Sequence, residues 1–210
     1  KPDLIVLQWW VTFWAPAMGY LARQFNKHGL PFIYIIHNSL PHEQRFFDPL
    51  LARLALAPGQ RFIVMNDRET GIIRSLVKHN CTITKCPLPV FSVFPETGIS
   101  KNQARSELSL PETMQLLLFY GIIRKYKGLK NLLEAVKILV GKGDSRIGLV
   151  IAGEFWDDKQ EYLDLITEYG LSDHVWIMDR FVSDLETSLL FNAADLYVGP
   201  YLDGTQSASI

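Results

Sequence analysis

Apolar and polar residues are arranged in two alternating patterns along most of the chain. Short, mostly apolar runs predict buried strands at residues 4–7, 32–36, 61–65, 116–120, 148–152, 175–178 and 196–198. Between them, apolar residues recur every three or four positions, which predicts amphipathic helices after Pro16, Asn66, Gly128, Gln160 and Ser183. Strands that alternate with helices in this way are typical of parallel sheets with helices on both faces. The pattern therefore predicts an α/β fold.

The alternation breaks once, in a proline-rich segment between residues 87 and 111. Residues 91–102 are predicted to be a linker, and a short helix is predicted at 103–108. This divides the chain into a partial N-terminal Rossmann-like domain at 1–90 and a partial C-terminal Rossmann-like domain at 103–210. We expect each lobe to have its own parallel sheet facing a cleft, because ligands of such sheets bind outside the carboxyl ends of the strands.

Local signals predict where several helices begin or end. Asn66 with Glu69 resembles a capping box, in which two side chains bond the backbone N–H groups at a helix start. Ser183 with Glu186 fits the same motif. Gly141 is predicted to be the C-cap of the helix that follows Gly128.

The most informative segment joins the apolar run at 116–120 to the next helix. The run ends at Gly121, where the backbone can turn sharply, and Arg124 and Lys127 precede Gly128 at the helix start. The helix dipole and the unpaired N–H groups favour an anion at that end. Two fixed cations beside them suit a diphosphate. The alternative is a solvated surface turn that is simply basic.

Composition narrows the class of protein. The chain has 210 residues, of which 48% are hydrophobic and 20% charged, as in soluble globular proteins. Its formal net charge of -1 argues against a general binder of nucleic acids or membrane surfaces. No apolar run approaches the roughly 20 residues that a membrane span needs. Cys81 and Cys86 form no metal-ligand pattern and are expected to be reduced, so we expect a cytoplasmic protein.

Both ends of the sequence indicate a piece of a longer protein. Lys1 is not an initiator methionine and a strand is predicted close behind it, while residues 205–210 stop where a helix should begin. We therefore expect a fragment lacking both ends, and we expect the fragment alone to be inactive.

Four segments together resemble one family of enzymes. They are Ile35-Ile36-His37-Asn38-Ser39-Leu40-Pro41-His42-Glu43, Gly121-x-x-Arg124-x-Tyr126-Lys127-Gly128-Leu129, Phe181-Val182 followed by Ala193-Ala194-Asp195, and Pro200-Tyr201-Leu202-Asp203-Gly204-Thr205-Gln206-Ser207. In this order they resemble the acceptor-domain loop, the donor-phosphate motif, the approach to the last donor strand, and the phosphate- and sugar-binding loop of the retaining family 4 glycosyltransferases. That family, also called group 1, has the GT-B fold.

Two positions depart from the family's usual pattern. Most members have arginine directly after the first glycine of the donor-phosphate motif, where this chain has Ile122, so Arg124 would take that role. The usual pair of glutamates would fall at Asp203 and one position past the end of the sequence.

The resemblance implies a glycosyltransferase that moves a sugar from a nucleotide-diphosphate sugar to an acceptor with retention of anomeric configuration. It implies no metal and no cofactor besides this co-substrate. We expect a carbohydrate or lipid-linked acceptor, no nucleic-acid partner, and at most peripheral contact with the inner face of a membrane. A nucleotide-sugar epimerase and a non-catalytic GT-B module that binds nucleotide sugars stay open as alternatives.

The resemblance and the predicted strand ends together assign residues to three roles. The catalytic residues are predicted to be His37, Arg124 and Lys127. The donor-binding residues are predicted to be Gly121, Gly153, Glu154, Phe181, Val182, Asp203, Gly204, Thr205, Gln206 and Ser207, and the acceptor-side residues Trp9, Trp10, Asn38, His42 and Glu43.

Most of these assignments have a structural alternative. His37 would pack at a strand end, Phe181, Val182, Trp9 and Trp10 would be core contacts, Glu154, His42 and Glu43 would cap helices, and residues 203–207 would form a plain polar turn.

Overall fold

The computed structural model describes residues 2–41, 44–88, 95 and 98–202. These residues form two compact units, one up to residue 88 and one from residue 95 onward. Each unit has its own four-stranded parallel sheet, with helices between successive strands. The predicted α/β fold is therefore confirmed.

The first unit orders its strands as they follow one another in the sequence. Its elements are Ile5–Trp9 (β1), Ala15–Lys27 (α1), Phe32–Ile36 (β2), Asp48–Leu56 (α2), Arg61–Val64 (β3), Asp67–Leu76 (α3) and Thr82–Lys85 (β4). The sheet has the order β1-β2-β3-β4, and every neighbouring pair is parallel. Trp9 lies beside Ile36 in this register, so the residues that follow β1 and β2 share one edge of the sheet.

Large aromatic side chains fill the core of the first unit. Trp9, Tyr34 and Phe62 are almost completely buried. The rings of Tyr34 and Phe62 are stacked with 5.5 Å between their centroids, and the Tyr34 hydroxyl donates to the carbonyl of Ala55 at 2.8 Å. Such rings bury much apolar area while their polar atoms keep a partner, and they dominate the energetics of a core.

The second unit places its first strand inside the sheet. Its elements are Lys101–Glu107 (α4), Gln115–Tyr120 (β5), Leu129–Gly141 (α5), Ile147–Ala152 (β6), Lys159–Glu168 (α6), Val175–Met178 (β7), Asp184–Ala193 (α7) and Leu196–Tyr197 (β8). The order is β7-β6-β5-β8, again with parallel pairs. The chain order reverses at β5, and ligands bind at such a reversal in doubly wound sheets.

A buried arginine fastens α4 to the rest of the second unit. Arg105 donates to the carbonyls of Ala193, Glu112 and Met114 at 2.7–3.0 Å and forms a 2.6 Å ion pair with Asp195. Asp195 also accepts the backbone N–H of Leu116 at 2.7 Å. Burial acts to raise the pKa of Asp195, but hydrogen bonds from Lys101, Leu116 and Arg105 together lower it.

The predicted element limits agree closely with the structure, with one wrong cap. Gly141 is the last residue of α5, and Gly143 takes the left-handed conformation with φ 94°. The prediction of Gly141 as C-cap is therefore wrong, because Gly141 is still helical, Lys142 is the C-cap, and the left-handed glycine that follows the helix is Gly143. The domain limits stay a prediction: much of 91–102 lies outside the described residues, and α4 begins at Lys101.

Candidate active site

Two glycines bring the loops after β5 and β6 into contact. The N–H of Gly121 donates to the carbonyl of Ala152 at 2.9 Å, and the N–H of Gly153 donates to the carbonyl of Met178 at 3.0 Å. Gly153 has φ 139°, and a Cβ there would lie 2.3 Å from the carbonyl oxygen of Gly121. Gly153 therefore permits the close approach of the Gly121 backbone, which no other residue would allow.

A short backbone ladder continues this contact up to Arg124. The backbone N–H of Ile123 donates to the backbone carbonyl of Glu154 at 2.9 Å, and the backbone N–H of Trp156 donates to the carbonyl of Ile123 at 3.2 Å. Ile123 is fully buried, so the ladder is anchored in the core. Arg124 follows directly, with its guanidinium carbon 5.3 Å from the centre of a Trp156 ring.

Lys127 lies at the other end of a single 3-10 turn, Lys125–Lys127. Its ammonium nitrogen is 5.9 Å from the ring centre of Tyr201, and the side chain is half-buried. Burial lowers the pKa of Lys127, while its electrostatic interaction with Tyr201 acts in the opposite direction. Lys125, between the two cations, is exposed, and its charge helps to lower the pKa of Glu161 on α6.

The segment that follows β8 is fastened to the same loop. Gly128 has φ 78°, and a Cβ there would lie only 2.0 Å from the carbonyl oxygen of Pro200. The N–H of Leu202 donates to the carbonyl of Tyr126 at 2.7 Å, and the rings of Tyr126 and Tyr201 are 6.3 Å apart. The predicted donor-binding residues Asp203, Gly204, Thr205, Gln206 and Ser207 come next in the chain but lie outside the described residues.

The electrostatics of this loop favour an anion. Within the described part of the chain, no carboxylate forms an ion pair with Arg124 or Lys127. The helix α5 begins at Leu129 without a side-chain cap and without an acidic residue in its first turn. The positive end of the helix dipole thus adds to the two cations, as at known anion sites.

The other predicted donor-side residues lie at the ends of β6 and β7. Glu154 is exposed and accepts the indole N–H of Trp156 at 3.4 Å. Phe181 is 74% exposed, whereas Val182 is buried among core residues that include Leu189. The side chain of Val182 is thus a core contact, which is the structural alternative stated above for this residue. The side chain of Phe181 is accessible to a ligand.

In the first unit, His37 directly follows β2. Its backbone N–H donates to the carbonyl of Trp9 at 2.8 Å, and its ring nitrogen Nε2 is 2.8 Å from Oε1 of Gln8. The Trp10 ring packs edge-on against the imidazole at 5.7 Å. Polar and aromatic groups from the ends of two neighbouring strands therefore meet at His37.

The two predicted acceptor-side tryptophans have different surroundings. Trp9 is 1% exposed and donates its indole N–H to Ser39 at 3.1 Å, so it is a core residue and the prediction of an acceptor contact is wrong for its side chain. Trp10 is 49% exposed and lines a surface pocket of about 310 Å³ with Gln8 and Trp14. Asn38 is half-buried in the same loop, and His42 and Glu43 lie outside the described residues.

A buried glutamate supports this loop from α3. The backbone N–H of Glu69 donates to the side chain of Asn66, which is the N-cap half of the predicted capping box. The carboxylate of Glu69 is almost completely buried and accepts the N–H of Ser39 at 2.7 Å. Glu69 thereby fixes the backbone two residues after His37, a link between distant segments that the cap motif did not indicate.

Comparison with known proteins decides the family. The family model described as "Glycosyl transferases group 1" matches residues 100–204, which contain the whole loop of Arg124 and Lys127. The chain belongs to the group 1 glycosyltransferases. A search of curated proteins finds no significant match.

Solved glycosyltransferase structures share the fold. Sucrose-phosphate synthase from Thermosynechococcus elongatus has a TM-score of 0.68 at 18% identity over 95% of this chain and 50% of that chain. Anabaena HepE in complex with UDP and glucose has a TM-score of 0.72 at 15% identity over 95% of this chain and 53% of that one. WaaG, a glycosyltransferase involved in lipopolysaccharide biosynthesis, has a TM-score of 0.62 at 17% identity over 87% and 56% of the two chains.

These neighbours confirm the predicted GT-B fold of this group 1 glycosyltransferase. The chain spans about half the length of the solved structures that it matches. Among the helices of the described residues, none combines the length and the apolar character needed to cross a bilayer.

Sequence reasoning missed Trp156 and Tyr201 beside the cations of the second unit and Glu69 beneath the His37 loop of the first unit. Trp156 had a usable signal, because an aromatic residue just beyond the carboxyl end of a predicted strand lies where ligands bind. Tyr201 belonged to a recognised motif, but its contact with Lys127 joins distant segments of the chain.

Proposed function

We propose that this glycosyltransferase transfers a sugar from a nucleotide-diphosphate sugar with retention of anomeric configuration and without a metal. The acceptor is proposed to be a carbohydrate or a lipid-linked molecule. The protein is proposed to be cytoplasmic, and exposed Trp10, Phe13 and Trp14 are suited to peripheral contact with a membrane surface.

One observation carries the proposal. Arg124 and Lys127 flank a single turn that leads into the uncapped start of α5, at the carboxyl edge of a parallel sheet. Neither cation has a carboxylate partner among the residues that the structure describes. A diphosphate would supply the anionic partner that both lack.

The chemistry follows from where charge develops. Breaking the anomeric C–O bond leaves negative charge on the departing nucleoside diphosphate, so groups that bind this charge more tightly in the transition state accelerate the step. Arg124, Lys127 and the N–H groups at the start of α5 are suited to that role, and they supply positive charge that other transferases take from a metal. His37 is proposed to hydrogen-bond the donor sugar or the departing phosphate.

UDP is the first nucleotide to test. HepE structures contain UDP or UDP-glucose, and the pneumococcal O-GlcNAc transferase GtfA was solved with UDP and GlcNAc. The low identity to these proteins makes UDP a starting point, with GDP and ADP as the comparisons. Phe181, exposed after β7, is proposed to contact the base.

Calorimetric titration of the full-length protein with UDP, GDP and ADP in the presence of EDTA tests donor binding. We expect one of the three to bind, and we expect Arg124→Ala and Lys127→Ala to weaken binding at least tenfold. Lys125→Ala is the matched control, since Lys125 is the exposed cation of the same turn. Absence of binding by all three nucleotides would refute the proposal.

Product analysis tests the reaction itself. The protein is incubated with the sugar nucleotides of the base that binds and with free and lipid-linked saccharides as acceptors. The anomeric configuration of the product is then read by proton NMR. Transfer with retention is expected. Conversion of the donor sugar without transfer would instead indicate an epimerase, and binding without any turnover would indicate a non-catalytic module.

A further inference from the structure

Arg124 is held differently from the other arginines of the second unit. Arg105, Arg146 and Arg180 each form an ion pair with a carboxylate. Arg124 has no such partner in the described part of the chain, and its guanidinium lies against the indole of Trp156 at 5.3 Å. Among the arginines of the second unit, Arg124 is therefore restrained by an aromatic ring and not by a carboxylate of the described residues.

The indole itself is fixed from two sides. The backbone of Trp156 is bonded to Ile123, the residue before Arg124, through the 3.2 Å hydrogen bond of the ladder. Its indole N–H is 3.4 Å from the carboxylate of Glu154. Although Trp156 is 59% exposed, its ring thus has a defined position next to Arg124.

We propose that Trp156 is a positioning residue that holds Arg124 for the diphosphate without neutralising its charge. This inference rests on the proposed function. A carboxylate in the same place would hold the guanidinium but would compete with the phosphate for it. The face of an indole attracts a cation through its quadrupole and carries no net charge, so the guanidinium stays available to an anion.

A double-mutant cycle in the full-length protein separates positioning from a structural role. UDP and inorganic pyrophosphate are the probes for binding, and donor turnover at saturation gives kcat. We expect Trp156→Leu to lower kcat about fivefold, the size of a cation–π contact of about 1 kcal/mol. Trp156→Phe, which keeps an aromatic face, is expected to retain most of the activity. In an Arg124→Ala background, Trp156→Leu should have little further effect.

A spectroscopic measurement tests the contact without any ligand and without the leucine variant. Removing the guanidinium by Arg124→Ala should change the tryptophan fluorescence, and this change should vanish when Trp156 is replaced by phenylalanine. If the fluorescence is insensitive to Arg124, or if Trp156→Leu loses as much activity in the Arg124→Ala background as in the wild type, the positioning role is overturned.

The failure of the two proposals can be told apart. If the wild type binds none of UDP, GDP, ADP and pyrophosphate, the proposed function is refuted. This inference, which rests on the proposed function, is then refuted as well. If the wild type binds and turns over the donor but Trp156→Leu does so equally well, the proposed function stands and only the role of Trp156 is refuted.

Discussion

Replacement of Gly128 by alanine tests how the donor loop is assembled. Gly128 lies between the turn that carries Lys127 and the first residue of α5, with φ 78°. The added Cβ would lie 2.0 Å from the carbonyl oxygen and 3.0 Å from the carbonyl carbon of Pro200. Both are backbone atoms, so no side chain can rotate out of the way, and either α5 or the segment after β8 must move.

The magnitude follows from two separate effects. A left-handed conformation costs an L-residue about 1–2 kcal/mol, and overpacking at a tight contact costs about 1–3 kcal/mol more. Gly128→Ala is therefore expected to lower the free energy of unfolding by about 2–5 kcal/mol. The movement also strains the 2.7 Å hydrogen bond from Leu202 to Tyr126 beside the two cations. We expect UDP affinity to fall at least tenfold.

Gly143 provides a matched control at the other end of the same helix. It is also left-handed, with φ 94°, but no atom lies within 4 Å of the Cβ that alanine would add. Gly143→Ala therefore carries the backbone strain of about 1–2 kcal/mol without the clash, and it should leave UDP affinity unchanged. Urea unfolding and calorimetry of both full-length variants give the comparison. Equal stability and equal affinity for the two variants would contradict the contact between Gly128 and Pro200.

Two further predictions concern charge. Arg124→Ala or Lys127→Ala should each raise the barrier to transfer by about 2–4 kcal/mol, as the loss of one oxyanion donor does elsewhere, whereas Lys125→Ala should not raise it. Steady-state kinetics measures these barriers. An equal loss of activity for Lys125→Ala would refute the loop geometry. The pKa of Asp195 is lowered in the folded state because hydrogen bonds from Lys101, Leu116 and Arg105 outweigh burial, so these interactions stabilise the fold above pH 3.8 and lose this effect as the pH falls through the lowered value. Asp195→Asn should therefore flatten the acid side of the stability profile measured by urea unfolding, and an unchanged acid side would contradict the shift.

Elements with strong local signals were predictable from the sequence. The strands at 32–36 and 175–178 have the predicted limits, because each is an apolar run that ends at a polar residue, His37 or Asp179. The capping box of Ser183 and Glu186 is present with both of its hydrogen bonds. The strand β4 had no such signal, since most of its residues are exposed at the edge of the sheet. Local periodicity therefore predicts buried elements better than edge strands.

The site was predictable only in part, for a physical reason. Gly121, Arg124 and Lys127 could be placed at a strand end, because a strand, a turn and a helix follow one another in the chain. The partners of these residues come from elsewhere: Trp156 follows the next strand, and Tyr201 follows the last. Which side chain meets which depends on the order β7-β6-β5-β8, and no local pattern specifies that order.

The second unit gives different partners to its buried cation, Arg105, and to its proposed donor-site cation, Lys127. Arg105, almost fully buried, has carbonyl and carboxylate partners for its guanidinium, so this fold can satisfy a cation completely. Lys127, half-buried with its pKa lowered by burial, has no carboxylate partner among the described residues. Glu154, which follows the neighbouring strand, accepts a hydrogen bond from Trp156. A partly desolvated cation without a counter-ion destabilises a fold, and charged groups left in this way are typical of functional sites. This contrast supports the proposal that an anionic ligand completes the arrangement.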